Sequence, residues 1–332
     1  MSSKITDITK LTIRLLLGAL FIVAAVLKII SIDNFEIYIF SFNIFSFVTT
    51  SFLARLIIAA ELSLGLCLIF KVYFKQIWWL TMLMMLGFTL FLIYAMIFRN
   101  DSNCHCFGSL VELDPKMSFV KNILTIAILL TIKKEESHIY KPVLRKWILG
   151  TVIAISLIAS FFIVPMDAIY NKIYSERQDV NTVAFQNSLN DSTYINYLKV
   201  LPEKSGDSVV FTREKQLLDL NHGRHLINYA LSGCKFCKTG AEKITLMFDR
   251  HGISHDKLVF VLVGGDVSAS KFIKETNTFD YKHWRIPIPT MMDITFGSFP
   301  LYIFVEDGKI VKSGDFRIID EKELTDFFQK ND

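Results

Sequence analysis

Apolar residues run almost unbroken through four stretches of the first half, roughly 11–30, 52–70, 76–98 and 144–164. A helix needs about 20 mostly apolar residues to cross a bilayer, so each is expected to be a span. A fifth stretch, 117–132 (MSFVKNILTIAILLTI), is shorter and carries Lys121 near its start; it is counted as a span too. Residues 34–50 (NFEIYIFSFNIFSFVTT) are aromatic and apolar but broken by Asn43. They are expected to form a re-entrant or interfacial helix, with a sixth short span as the alternative. From about 165 onward the pattern changes to short apolar runs that read as strands: 224–231 (RHLINYAL), 257–263 (KLVFVLV) and 300–305 (PLYIFV). Asp307-Gly308 turns the chain into a further strand, 309–313, and amphipathic helices are expected at 234–250 and 320–329. With a short helix in the polar stretch between 263 and 300, the resulting order is βαβαββα. Residues 166–221 are polar and mixed and read as a linker with short helices at 166–176 and 193–201. A flexible coil of that length would reach about 40 Å.

Charge sharpens this division. Residues 1–164 hold 15 basic and 9 acidic side chains, and residues 165–332 hold 21 and 23. An apolar, net-basic membrane half therefore precedes a water-exposed, near-neutral half. The 52 % hydrophobic content and mean hydropathy of +0.40 exclude a disordered chain. A net charge of only +4 without a dense Lys/Arg cluster argues against nucleic acid as a partner. With five spans and the N-terminus inside, Lys4, Lys10, Arg14, Lys71, Lys75, Lys133, Lys134, Lys141, Arg145 and Lys146 fall on the cytoplasmic side. Only Lys28, Arg55, Arg99, Lys116 and Lys121 fall outside. That bias puts loop 99–117 and the whole second half on the extracytoplasmic face of the inner membrane. The first span lacks a small-residue cleavage site and is expected to be retained.

There are five cysteines: Cys67, Cys104, Cys106, Cys234 and Cys237. Cys67 lies within the second span and reads as a packed apolar thiol. Cys104-His105-Cys106 lies in the outer loop, and Cys234-Lys235-Phe236-Cys237 lies in the second half. The topology puts both pairs on one side of the membrane, where disulfides persist. Cys234 follows a strand and a Ser232-Gly233 turn and opens a helix, where backbone N–H groups and the dipole favour an anionic sulfur. Cys237, one turn later, is placed to attack a mixed disulfide on Cys234. Half of a zinc site is the competing reading, but His222, His225, His251 and His255 form no recognisable ligand pair with the cysteines. A disulfide across Cys104 and Cys106 would close a small, strained ring of the labile kind. His105 between them is a candidate for favouring a thiolate or moving a proton. Copper or zinc binding by Cys-His-Cys is the alternative. Glu61 sits mid-span, where a carboxylate is a functional candidate by default. It takes up a proton or pairs with Arg14, Lys28 or Arg55.

Residues 222–332 resemble a thioredoxin-fold domain. The resemblance rests on strand–CKFC–helix, on Gly297-Ser298-Phe299-Pro300 before the next strand, and on the Asp-Gly hairpin. It implies that Pro300 is a cis-proline beside the active cysteines and that the Phe299 backbone receives an extended substrate strand. Two positions depart from the common pattern. Asn228 stands six residues before the first cysteine, where a buried carboxylate is frequent, and Gly-Cys-Lys-Phe-Cys replaces Trp-Cys-Gly-Pro-Cys. Both bear on the direction of electron flow. Arg14, Gly18, Phe21 and Lys28, then Glu61 and Gly65, then Asn103-Cys104-His105-Cys106-Phe107-Gly108 resemble the MauE/DoxX redox-associated membrane proteins over roughly 10–132. Ala25 stands where that family often has glycine.

The expected architecture is a polytopic α-helical membrane bundle, four-helix and MauE/DoxX-like over 1–135. A tethering fifth transmembrane helix over 136–165 and an extracytoplasmic linker over 166–221 follow. An α/β thioredoxin-like domain over 222–332 completes the chain. The expected function is a membrane thiol–disulfide oxidoreductase acting on extracytoplasmic substrate proteins with cysteines. Cys234 exchanges, Cys237 resolves, and Cys104/Cys106 trade electrons with that pair. No cytoplasmic loop carries cysteine, which favours the oxidative direction with a membrane quinone as acceptor and no metal. A reductive relay, a metal-handling protein and a passive membrane anchor are the rivals. The sequence carries no nucleotide-binding glycine loop, hydrolase triad or internal repeat.

Overall fold

The computed structural model describes residues 2–99, 114–133, 140–174, 180–190, 192–205 and 208–329. The chain divides into two compact units, Met1–Met166 and Asp167–Asp332. The first is helical: α1 (Ser2–Ile30), α2 (Ile32–Phe40), α3 (Phe47–Phe70), α4 (Phe74–Phe98), α5 (Pro115–Thr131) and α6 (Pro142–Phe162). Four of these, α1 over Ile8–Ile30 together with α3, α4 and α6, are long and apolar enough to cross a membrane. The chain is a multi-pass membrane protein. The fifth expected span is present as α5, but its 17 residues measure only about 25 Å. It runs antiparallel beside α4, since Trp78 Nε1 near the start of α4 donates to the Leu129 carbonyl near the end of α5 at 2.8 Å.

The aromatic stretch 34–50 is not a span. α2 has nine residues, and the chain turns at Asn43, whose φ of 60° is left-handed, before Ser46 caps α3 by accepting from Thr49 N–H. Glu36 of α2 ties it back to α3, accepting from Ser51 Oγ at 2.6 Å and from Arg55. Arg55 was expected in an outer loop. Instead it is buried within α3 and also donates to the Val164 carbonyl just beyond α6. Lys28 likewise leaves the expected loop and is buried in α1.

α1 and α3 pack through glycine. A Cβ on Gly18 would lie 2.8 Å from the Gly65 carbonyl, and one on Gly65 would lie 2.8 Å from the Gly18 carbonyl. Small residues let two backbones approach this closely in a membrane. Arg14 Nη1 then caps the free end of α3, donating to the Leu68 and Ile69 carbonyls at 2.8 and 2.9 Å.

The second unit opens with α7 (Asp167–Tyr174) and α8 (Thr182–Asn190). Seven strands follow: β1 (Asn196–Ser205), β2 (Ser208–Lys215), β3 (Arg224–Leu231), β4 (Leu258–Val263), β5 (Lys282–Arg285), β6 (Leu301–Glu306) and β7 (Lys309–Gly314). They form one sheet in the order β2-β1-β5-β4-β3-β6-β7. β3, β4 and β5 are parallel, while β6 is antiparallel to β3 and β7 antiparallel to β6. The intervening helices are α9 (Lys235–His251), α10 (Asp266–Glu275), α11 (Ile288–Thr295) and α12 (Glu321–Gln329). β3-α9-β4, then β6-β7-α12, is the expected thioredoxin order. β5 and α11 are an addition that the sequence reading left as a polar stretch.

Alternation along the strands separates two faces. Ile227, Tyr229, Val259, Val261 and Ile303 join Phe185, Met291 and Ile294 in one core. Asn228, Phe260, Tyr302 and Phe304 occupy the alternate positions. There Phe260 meets Phe272 of α10 and Phe304 meets Phe327 of α12.

The expected linker is corrected most. The segment expected as a helix at 193–201 is a 3₁₀ turn, Ser192–Ile195, that runs into β1. β1 pairs with both β2 and β5. Pro202, which has no N–H to give the ladder, falls where the β1–β2 register shifts, between Val200 and Lys204. Most of 166–221 is therefore part of the second unit.

Candidate functional site

The strand β3 delivers the cysteines. Its last residues turn sharply: Ser232 N–H donates to the Val263 carbonyl at 3.0 Å, and Cys234 N–H to the Leu231 carbonyl at 2.9 Å. Cys234 is the N-cap of α9. Its Sγ accepts the Cys237 N–H at 3.3 Å, one of the donors that a helix start leaves without an intrahelical partner. Cys234 is partly exposed and Cys237 fully buried. Burial, and then the hydrogen bond and proximity to Cys234, push the Cys237 thiol well above the usual range. One sulfur is thus open to a partner and the other is held behind it as a thiol.

α9 approaches the sheet closely at Gly240, where a Cβ would lie 2.9 Å from both Phe316 Cβ and Tyr302 Oη. Under it, Asn228 Nδ2 donates to Tyr302 Oη at 2.8 Å. Both side chains are fully buried, and Asn228 Oδ1 has no partner among the described residues. Burial, and then the nearby Cys237 sulfur, raise the Tyr302 phenol. An amide and a phenol therefore occupy the space beneath the cysteines where a buried carboxylate is frequent. Register 228↔302 identifies Tyr302 as the partner only once β3 and β6 are paired.

The Phe299–Pro300 peptide bond is cis, as the resemblance implied. Tyr229 pairs with Leu301, so Pro300 lies at the end of β3 from which Ser232-Gly233-Cys234 departs. Phe299 is half-buried and Phe236, between the cysteines, is exposed. Lys238 is committed to an ion pair with Glu275 at 2.6 Å. The histidines that a zinc site would need lie elsewhere. His222 and His225 sit at the opposite end of β3, His251 is the last residue of α9, and His255 lies beyond it. There His222 meets Asp219, His251 meets Glu321 and His255 meets Asp249, each at 2.8 Å.

In the helical unit, Glu61 takes one of the three partners considered. Lys28 Nζ lies 2.7 and 2.8 Å from its two oxygens, with both groups buried. Arg14 and Arg55 are engaged elsewhere. Cys67 is buried among Leu64, Leu68 and Ile77. Cys104, His105 and Cys106 lie outside the described residues. The Glu36–Arg55 pair and Asn122, buried on α5, were not singled out from the sequence.

Residues 6–133 match the family model of the methylamine utilisation protein MauE. Protein TlpB of Flavobacterium psychrophilum is 24 % identical over 303 residues, covering 82 % of this chain and 81 % of that protein. The solved thioredoxin domain of the thiol-disulfide oxidoreductase BVU-2223 from Bacteroides vulgatus aligns at 16 % identity with a TM-score of 0.28. It covers 41 % of this chain and 96 % of that domain. StoA from Bacillus subtilis aligns at 16 % identity and a TM-score of 0.28, over 40 % of this chain and 93 % of its own. The fold assignment rests on strand order, register and the cysteine-bearing helix. The chain joins a MauE-like membrane region to a thioredoxin-fold domain that carries a thiol–disulfide exchange site.

Proposed function

We propose that this protein oxidises cysteines of extracytoplasmic substrate proteins. The observation that carries the reading is the asymmetry of the pair: Cys234 partly exposed at the helix start, Cys237 fully buried behind it. A substrate thiolate attacks Cys234 Sγ of the oxidised pair. The Cys234–Cys237 bond breaks, and Cys237 leaves and takes a proton, in keeping with its raised thiol. A second substrate thiolate then attacks the substrate sulfur of the mixed disulfide and expels Cys234. The substrate has lost two electrons and the enzyme pair has gained them. Reversing the first step lets Cys237 release a substrate that does not complete the reaction.

The reduced pair is reoxidised by a Cys104–Cys106 disulfide, with His105 as a candidate proton carrier. That dithiol passes its two electrons and two protons to a membrane quinone. The oxidative direction is favoured by the lack of any cysteine in the loops read as cytoplasmic. In this reading the inner membrane holds the bundle with its N-terminus inside, and the thioredoxin-fold domain lies outside. Phe299 and Pro300 border the surface where substrate docks.

Alkylation trapping in intact cells tests the relay. With Cys104 and Cys106 replaced by serine, the Cys234–Cys237 pair is expected to accumulate in the reduced state. Accumulation in the oxidised state would reverse the direction to a reductant. An unchanged state would uncouple the two pairs.

A further inference from the structure

The helical unit encloses a cavity of about 330 Å³ bounded by α1 to α5. That is the size of a site for a small ring, at the lower end of ligand pockets. Phe35, Phe42, Phe88 and Phe91 contribute aromatic walls. The polar side chains that line it come from four helices: Lys28 of α1, Tyr38 of α2, Glu61 of α3, and Lys121, Asn122 and Thr125 of α5. Asn122 is only 2 % exposed, and its Nδ2 has no hydrogen-bond partner among the described residues. A buried donor left unpaired is destabilising, and an acceptor in the cavity would satisfy it. Lys28 Nζ gives two hydrogen bonds to Glu61 and lies 5.7 and 5.9 Å from the ring centroids of Phe35 and Phe88.

These features specify the ligand's chemistry. Glu61 pairs with Lys28, and Lys121 also lines the cavity. The hydrocarbon part of a lipid fills apolar space but offers Asn122 no acceptor. A flat ring with carbonyl oxygens and a lipid tail meets the aromatic walls, the unpaired amide and the membrane setting together.

We propose that this cavity binds the ring of a membrane quinone, with Asn122 Nδ2 donating to a ring carbonyl and the Lys28–Glu61 pair beside the ring. This rests on the oxidative reading above and locates its acceptor. The step is balanced. A dithiol becomes a disulfide and releases two electrons and two protons, and the quinone takes up both to become the quinol. Among the described residues, Glu61 is the carboxylate that lines the cavity and can relay such a proton. Sequence connects α4 and α5, two of the cavity's walls, through the segment that carries Cys104 and Cys106.

The test uses full-length protein in nanodiscs of defined phospholipid and decylubiquinone as the probe. Wild type is expected to bind about one equivalent. Asn122→Leu is expected to weaken binding at least tenfold while leaving thermal stability at or above wild type, because no partner of Nδ2 is lost. Ala24→Leu, which fills the cavity from α1, is the second variant and has the same expected effect. Ser63→Ala, in a separate groove between α3, α4 and α6, is expected to bind as wild type. Unchanged binding in both cavity variants, or recovery of a tightly held acyl lipid with no quinone binding, would overturn the proposal. Binding is also measured with Cys104 and Cys106 replaced by serine, since it needs no thiol. Quinone binding without oxidation of Cys234–Cys237 in cells would leave the site intact and sink the oxidative reading. Oxidation in cells without binding would do the opposite.

Discussion

At the scale of single residues, burial decides what each titratable group does. Glu242, on α9 five residues past Cys237, is pushed up to about 7 by burial and then by Glu275, with Lys238 pulling the other way. Between about 4.5 and 7 the folded chain therefore holds a proton that the unfolded chain has released. Stability from this group falls as pH rises through that window. Glu242→Gln is expected to show no gain over wild type near pH 4 and a gain of about 1–3 kcal/mol above pH 7. Thermal unfolding of the full chain across pH 4–8 reads that difference, and a gain independent of pH would contradict it. The same logic bears on the thiols. Cys234 and Cys237 are three residues apart in sequence, yet one faces solvent and the other the core. The sequence already places Cys234 at the helix start as the exchanging sulfur with Cys237 one turn later, and packing adds the burial that keeps Cys237 behind it.

At the scale of elements, α9 sets the height of the site above the sheet. Gly240 allows it, because any Cβ there would meet Phe316 and the Tyr302 hydroxyl at 2.9 Å. The hydroxyl cannot retreat freely, since it accepts from Asn228. Gly240→Val is expected to cost about 2 kcal/mol or more through overpacking. It is also expected to speed alkylation of Cys237 by lifting the helix. Unfolding midpoints with timed thiol labelling check both, and labelling as slow as wild type would show that the helix has not moved. Buried Lys243 anchors the same helix, donating to Asp167 at 2.9 Å and to the Phe316 carbonyl at 2.8 Å. α5 shows the opposite relation between pattern and role. Its apolar run is one of the weakest in the sequence, yet it lines the cavity with Asn122 and Thr125 and is tied to α4 by the Trp78–Leu129 hydrogen bond.

At the scale of the whole molecule, two units of different chemistry share one chain, and each has its own buried charge to satisfy. In the helical unit, Lys28 and Glu61 bury opposite charges against each other. Removing one partner leaves the other uncompensated, at a cost of about 3–5 kcal/mol. Lys28→Met is expected to lower the unfolding midpoint of the full chain, and Lys28→Met with Glu61→Gln is expected to recover most of the loss. A double variant no more stable than the single one would show that the pair does not act as a unit.

Composition and periodicity were enough to read the apolar first half, the strand–CKFC–helix unit and the Asp-Gly hairpin, and the thioredoxin resemblance rests on those motifs. Those features are local. A membrane span announces itself by about 20 apolar residues, and a nucleophile at a helix start needs only the strand before it and the helix after it. The tertiary structure decided what depends on distant partners. Residues 196–205 and 208–215 are strands because Asn196–Leu198 of β1 pair with β5 and β2 pairs with β1, and no local pattern marks that edge. Residues 34–50 fold back because Glu36 meets Ser51 and Arg55. Lys28 could be placed near Glu61 by choice among three cations, but the Gly18–Gly65 crossing made the choice. Asn122 becomes a donor facing a cavity only when five helices enclose it. Identity and spacing along the chain determine which chemistry is present; packing determines which groups are desolvated together, and so which of them react or bind.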